Sequence, residues 1–272
     1  MTSPDDYQAI HERAVIGAIA DRRQIAVAGP DRASFLHGLL TNDTESLTAG
    51  HGCYAAWLTP QGRMLCDVHV IESGDMMLLD VPAADVEGIV EKLEQFHFTE
   101  NVQIASLAAS LRSIWVHGPQ AGQILAVAAP REGDPYDEWE SYENTRTEID
   151  GMPVVVARID QLNVPGYVIF ADVQQEAAVT KALARTGILH ATPATLAAVR
   201  IEAAYPIFGV DMTTDTIPLE AGIEDRAISM TKGCYVGQEV IIRILHRGGG
   251  RVARRLVRLQ VQGHAPPRGA RI

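Results

Sequence analysis

The sequence predicts an α+β fold made of two related units, and three observations point to it. A strand-turn-helix phrase occurs twice, as Ile25-Ala26-Val27-Ala28-Gly29 before Pro30-Asp31 and as Ile114-Trp115-Val116-His117-Gly118 before Pro119-Gln120, at an offset of 89 residues. Other landmarks keep that register without an insertion: Gly62 before Met64-Leu65 matches Gly151 before Pro153-Val154, and a strand end at Val81 matches Phe170. After each strand end the apolar residues fall at helical spacing, with Val86, Ile89, Val90, Leu93 and Phe96 in the first copy and Val173, Ala177, Val179 and Leu183 in the second. Two such units often hold a ligand at their junction.

Within the first unit, Phe35, Leu36, Leu39 and Leu40 continue the opening phrase as a helix. Gly52 to Leu58 and Met64 to Ile71 read as strands joined by the turn Thr59-Pro60-Gln61-Gly62-Arg63, and Met76 to Val81 as a third. Strand alternation puts Leu65, Asp67, His69 and Ile71 on one face. Asp67 and His69 there either meet a ligand together or mark the wet side of the sheet. The polar, turn-rich stretch from Arg131 to Asn144 reads as a surface loop. Thr192-Pro193 is a helix cap with a first-turn proline, opening a helix through Leu196, Val199 and Ala203 that carries Arg200 and Glu202.

Composition narrows the function classes. The 272 residues suffice for one large domain or two to three small ones. No run of about eighteen apolar residues occurs, and Met1-Thr2-Ser3-Pro4-Asp5-Asp6 lacks the basic and apolar blocks of a signal peptide, so we expect a cytoplasmic protein without a membrane partner. Cys53, Cys66 and Cys234 are far apart with no Cys-x-x-Cys pair, which counts against a disulfide framework and a self-contained zinc or iron–sulfur site. No metal site is expected. The net charge is −11, yet after Glu239 there is no acidic residue while Arg243, Arg247, Arg251, Arg254, Arg255, Arg258, Arg268 and Arg271 follow. Such a tail suits a polyanion such as a folate polyglutamate or an RNA, and equally a solvated strand edge.

The most informative stretch is Lys232-Gly233-Cys234-Tyr235-Val236-Gly237-Gln238-Glu239. Its glycines permit backbone angles closed to other residues, and a neighbouring lysine favours the thiolate of Cys234 as nucleophile or metal ligand. An isolated cysteine is, on its own, more often an inert buried residue. This octapeptide resembles without mismatch the signature K-G-C-[FY]-[TV]-G-Q-E of the YgfZ family, and Arg243-Ile244-Leu245-His246-Arg247-Gly248 is similar to its continuation. Phe35-Leu36-His37-Gly38-Leu39-Leu40-Thr41-Asn42-Asp43, Arg200-Ile201-Glu202-Ala203, Gly209-Val210-Asp211 and Ile217-Pro218-Leu219-Glu220-Ala221-Gly222 resemble the wider superfamily of the glycine cleavage T-protein. Together they extend the resemblance from about Ile25 to Arg258.

The resemblance implies a T-protein-like fold, with two α+β units around a central folate channel and a C-terminal β-barrel. We expect a first unit over 1–110, a second over 111–240 carrying the cysteine motif, and the start of a barrel over 241–272, whose opening strand is Arg251 to Gln262 and which stops short of closure. It implies tetrahydrofolate or a one-carbon derivative as ligand and assembly or repair of iron–sulfur enzymes, including ones that modify transfer RNA, as output. Iron–sulfur client or assembly proteins are then the partners. Glu202 matches the glutamate that recognises the pterin, and a carboxylate there can accept two hydrogen bonds from the pterin edge. Without the motif, Glu202 reads as a surface glutamate pairing with Arg200 or Lys232. Lys232 is carried over as a contact to the charged end of folate, with Arg243 and Arg247 as alternatives, and Tyr205, Tyr235 and Trp57 are candidates for flat walls.

One departure concerns chemistry. The T-protein carries paired aspartates after its glycine turn, and in Gln61-Gly62-Arg63-Met64-Leu65-Cys66-Asp67 the first is Cys66. A thiol does not replace a carboxylate that works on folate nitrogens, which counts against aminomethyl transfer. Two alternatives stay open: a T-protein-type aminomethyltransferase using Asp67 as acid or base, and an RNA-binding module using the arginine tail.

Overall fold

A computed structural model describes residues 4–263, 267 and 270. The sequence features at Met1, Thr2, Ser3, Pro266, Arg268, Arg271 and Ile272, and the side chain of Arg247, lie outside the described residues. The strands are β1 (Val15–Ile16), β2 (Arg22–Ala28), β3 (His51–Leu58), β4 (Met64–Glu72), β5 (Met76–Pro82), β6 (Gln103–Ser106), β7 (Leu111–His117), β8 (Asn144–Ile149), β9 (Met152–Arg158), β10 (Gly166–Asp172) and β11 (Leu189–His190). They form two sheets, ordered β3-β4-β5-β2-β6 and β11-β1-β7-β10-β9-β8.

The repeated phrases fold into repeated topology. In each unit a hairpin, a returning strand and the opening strand lie side by side and antiparallel, as β3-β4-β5-β2 and β8-β9-β10-β7. The outer face of the first sheet is covered by the helices Arg32–Leu39 and Val86–Gln95, which bury Ile25, Val27, Leu36, Val68, Leu79 and Ile89. The helices Ala121–Ala128 and Glu176–Ala184 cover the second sheet over Val116, Leu125, Val156, Ile169 and Leu183. The inner faces meet through Ile71, Leu78, Trp115, Val168 and Phe170. Each buried aliphatic or phenyl group there contributes roughly 1.5–3 kcal/mol relative to exposure.

Three expectations are revised. The N-terminal segment does not stay with the unit expected at 1–110, because Val15 and Ile16 pair with β7 and, in parallel, with β11. The apolar pair fills the gap beside a two-residue edge strand, and Val15 is fully buried. The expected loop from Arg131 to Asn144 is anchored by Tyr136 and Trp139, both buried near the Tyr167 ring. The Tyr167 hydroxyl donates to the Tyr136 carbonyl at 2.7 Å, and the Tyr136 hydroxyl to that of Ala129 at 2.9 Å.

The third revision concerns the expected barrel start. Gln238–Ile242 is an α-helix continued by a π turn, Arg243–Arg247, and residues 251–263 form neither helix nor strand. A strand needs a neighbour to take its backbone groups. This segment is tied instead to the second unit, with the Leu256 amide donating to the Glu220 carbonyl at 2.8 Å and Arg254 Nε to Glu220 Oε2 at 3.1 Å. Among the described residues, no helix is long and apolar enough to cross a membrane.

Candidate functional site

Alternation along β2 to β5 turns one polar set toward the second sheet, namely Arg22, Gln24, Tyr54, Asp67, His69 and Asp80, all buried. Arg22 joins them. Its Nε donates to Asp80 Oδ2 at 2.7 Å, and its Nη1 to Asp67 Oδ1 and Oδ2 at 3.1 and 3.2 Å. The Tyr54 hydroxyl also donates to Asp67 Oδ2, at 2.9 Å, and Gln24 Nε2 donates to Asp80 Oδ1 at 2.7 Å. Burial works against the Arg22 charge, but the two carboxylates more than offset it and hold the guanidinium above its ordinary value. His69 Nδ1 shares a 2.6 Å hydrogen bond with the Tyr142 hydroxyl, and burial keeps the imidazole neutral.

Above this layer the Arg226 guanidinium lies between two tyrosines, 4.2 Å from the Tyr205 ring centroid and 4.8 Å from that of Tyr54. Its Nε and Nη2 are buried without a hydrogen-bond partner, as are His69 Nε2, Gln24 Oε1 and Gln161 Oε1. Buried polar atoms left unpaired cost free energy and mark places where a ligand or water belongs. A larger cavity of about 530 Å³, lined by Leu78, Leu107, Leu111, Val155 and Phe170, contains none of these atoms, and Arg146 at its rim is paired with Asp75.

The predicted site residues divide between this junction and the surface. Asp67 and Tyr205 belong to the junction. Cys66 precedes Asp67 on the strand, faces the helix-covered core, and has its thiol pushed up by burial. Trp57 lies in that same core. Glu202 ends the helix Pro193–Glu202 on the exposed side, where its carboxylate accepts from the Tyr7 hydroxyl at 2.9 and 3.0 Å, while Arg200 pairs with Asp211 instead. Arg243 is exposed on the π turn beside Gln238, Glu239 and His246.

The octapeptide loop has its own architecture. Lys232 Nζ donates to the carbonyls of His37, Leu40 and Asn42 at 2.6, 2.6 and 3.0 Å, so the ammonium closes the C-terminal end of the helix Arg32–Leu39. Burial pushes its pKa down to about 8. Tyr235 is buried, with its ring 5.1 Å from Nζ. Gly237 has φ +85°, and a Cβ there would stand 2.5 Å from the Thr59 carbonyl, so only glycine lets the loop close on the 59–63 turn. Val236 donates its amide to the Gly38 carbonyl at 3.3 Å, and Cys234 remains exposed.

The three Nζ bonds make Lys232 a structural anchor, which yields a stability prediction. Lys232→Met leaves three carbonyls without their charged donor and is expected to cost on the order of 2–3 kcal/mol. Equilibrium denaturation checks this, and unchanged stability would show that the three carbonyls find water equally well.

Sequence reasoning missed Arg22, Tyr54, Tyr142, Gln161 and Arg226. Arg22 and Gln24 alternate with the core-facing Ile25 and Val27, a pattern that marks them as one face, but nothing local points to Gln161 or Arg226. Among the described residues, no group of three His, Cys, Asp or Glu side chains is placed to hold a metal ion.

The family model of the GCVT N-terminal domain matches residues 2–232. The Arabidopsis thaliana protein At1g60990, chloroplastic and provisionally named a transferase, is 28% identical over 247 residues, covering 90% of this chain and 55% of its own length. The aminomethyltransferase of Rubrobacter xylanophilus is 26% identical over 261 residues, covering 95% of this chain and 68% of its own. The chain thus spans little more than half of the first relative. The crystal structure of the glycine cleavage system aminomethyltransferase T from Bartonella henselae shares the fold, with a TM-score of 0.78 at 21% identity over 91% of this chain and 68% of that one. With the model matched over most of its length and the paired sheets of that fold, this chain belongs to the family of the GCVT N-terminal domain.

Proposed function

We propose that the chain binds tetrahydrofolate or a one-carbon derivative at the junction of its two units and serves as an accessory protein for assembly or repair of iron–sulfur enzymes, with Cys234 as the working thiol. The observation that carries the folate reading is the Arg226 guanidinium, held between Tyr54 and Tyr205 with two buried donors unpartnered. A pteridine brings a flat face for such rings and polar ring-edge groups for such donors. Bound folate supplies a carrier for one-carbon units. The accessory role draws support from the octapeptide, whose thiol is exposed to a protein partner while Lys232 and Gly237 fix the loop beneath it.

Aminomethyl transfer of the T-protein type is the alternative. Asp67 weighs against it, because its carboxylate is already engaged by Arg22 and Tyr54, and Cys66 faces the opposite side of the strand. An RNA-binding tail is less favoured still, since Arg254 and Arg255 turn to Glu220 and Glu224, and Arg258 to the Glu202 carbonyl.

Anaerobic calorimetry separates these readings. Wild type and Cys234→Ala are expected to bind tetrahydrofolate alike, and neither forms methylenetetrahydrofolate from an aminomethyl donor. In cells lacking the protein, wild type restores iron–sulfur enzyme activity and Cys234→Ala does not. Turnover that disappears in Asp67→Ala would establish the aminomethyltransferase instead, and absent binding removes the folate reading.

A further inference from the structure

The inner faces of the two sheets pack together through Ile71, Trp115 and Val168 but part at one end, where the 530 Å³ cavity lies. That volume is within the ~300–1,000 Å³ of pockets that hold small molecules, whereas well-packed interiors leave few voids larger than a water. Three pieces of chain wall it. β5 supplies Leu78, the second sheet supplies Val155 and Phe170, and the segment joining β6 to β7 supplies Leu107, with Leu111 where β7 begins. Leu78 and Phe170 are buried, while Leu107, Leu111 and Val155 are only partly covered. None of the lining residues belongs to the polar layer around Arg22.

The chemistry changes toward the mouth. The polar residues of the lining, among them Ser110, Arg146 and Asp172, are exposed or half-buried. Arg146 stands opposite Val155 in the β8-β9 ladder and so shares the inner face. Its guanidinium reaches across to the β4-β5 turn of the first unit, donating to Ser73 Oγ at 3.3 Å and to the Asp75 carboxylate. Both members of this ion pair are more than half exposed, so it holds weakly and another carboxylate can take the place of Asp75. Asp172, the other charge in the lining, is committed to its own turn, where Oδ1 accepts from the Gln174 amide at 2.7 Å.

We propose that this cleft binds a medium-chain aliphatic carboxylate. The chain lies along Leu78, Leu107, Leu111, Val155 and Phe170, and the carboxylate replaces Asp75 on Arg146. An apolar body is required because these walls are side chains without hydrogen-bonding groups, against which a polar body would be desolvated without return. Each methylene withdrawn from water adds to affinity. An anionic head is favoured because Arg146 is the charge at the mouth whose partner is exchangeable. The site stands independently of the folate reading.

The test is calorimetry with octanoate, octylamine and octanol, each below the concentration at which it aggregates. Wild type is expected to bind octanoate at a single site, about tenfold more tightly than the amine or the alcohol. Arg146→Gln removes that margin by lowering octanoate affinity about tenfold, and Asp75→Asn raises it by freeing the guanidinium. Leu107→Trp fills the cleft and abolishes binding of all three probes. If Leu107→Trp does not fold, the two variants at the mouth decide. Absence of octanoate binding, octylamine bound as tightly as octanoate, or an octanoate affinity that Arg146→Gln leaves unchanged overturns the proposal. Displacement of octanoate by tetrahydrofolate would put the acid at the junction and overturns it too, whereas failure of tetrahydrofolate to bind removes the folate reading alone.

Discussion

Replacing Arg22 with alanine is expected to destabilise the protein by about 3–5 kcal/mol, the range found when one partner of a buried ion pair is removed. The guanidinium serves both Asp67 and Asp80, and its Nη2 also donates to the Asp80 carbonyl at 2.6 Å. Without it, two carboxylates stay buried with only Tyr54 and Gln24 to donate to them. The melting temperature should fall on the order of 10 °C. The deficit should also depend on pH. Burial raises the Asp80 pKa even with Arg22 present, so its contribution is most favourable below the unfolded value and is lost as pH rises through the raised one. The gap between Arg22→Ala and wild type is therefore widest near neutrality and narrows in acid. Denaturation of both proteins across pH checks this, and a constant gap would mean that the carboxylates are solvated once Arg22 is gone.

Acidification of the wild type is expected to cost about 3 kcal/mol through His117 alone. This residue is fully buried, its ring stacks on Trp115 at 5.7 Å, and neither nitrogen has a hydrogen-bond partner. Burial pulls its pKa down to about 4, while the Gly17 backbone, outside normal hydrogen-bond geometry, works weakly the other way. The fold therefore holds neutral imidazole. That contribution is fully present above the unfolded value near 6.5 and is lost as pH falls toward about 4, at about 1.4 kcal/mol per unit. His69, also depressed by burial, adds in the same direction. Urea denaturation at pH 7.5 and 4.5 should show the loss in wild type and a smaller one in His117→Gln. Equal losses would place the acid sensitivity elsewhere.

Much of the fold was legible in the chain because its signals are local. The recurring phrase from Ile25 and Ile114 becomes β2 and β7 in matching places, and the hairpins around Gly62 and Gly151 become β3-β4 and β8-β9. Periodicity also put Asp67 and His69 on one face. It did not reveal that this face is closed against a second sheet rather than wet. The basic tail read as a strand, but strand formation depends on a neighbour, and residues 251–263 find side-chain and carbonyl partners on the second unit instead.

What the sequence determined by itself is the repeated architecture, the wider superfamily and the octapeptide around Cys234, since each is written in residues close together along the chain, whereas the exposure of that thiol came from the fold. The glycine at 237 belongs here too, as does the lysine at 232, although its work as an anchor for the helix Arg32–Leu39 became visible only in the fold. Tertiary structure alone decided the junction. Arg22 reaches carboxylates 45 and 58 residues away, and Arg226 inserts between tyrosines contributed by β3 and by the segment after the helix Pro193–Glu202. The physical reason is that burial and hydrogen-bond partners belong to a folded neighbourhood rather than to a residue. The same arginine that is a surface charge in one packing becomes, between two sheets, a pair of donors waiting for an acceptor.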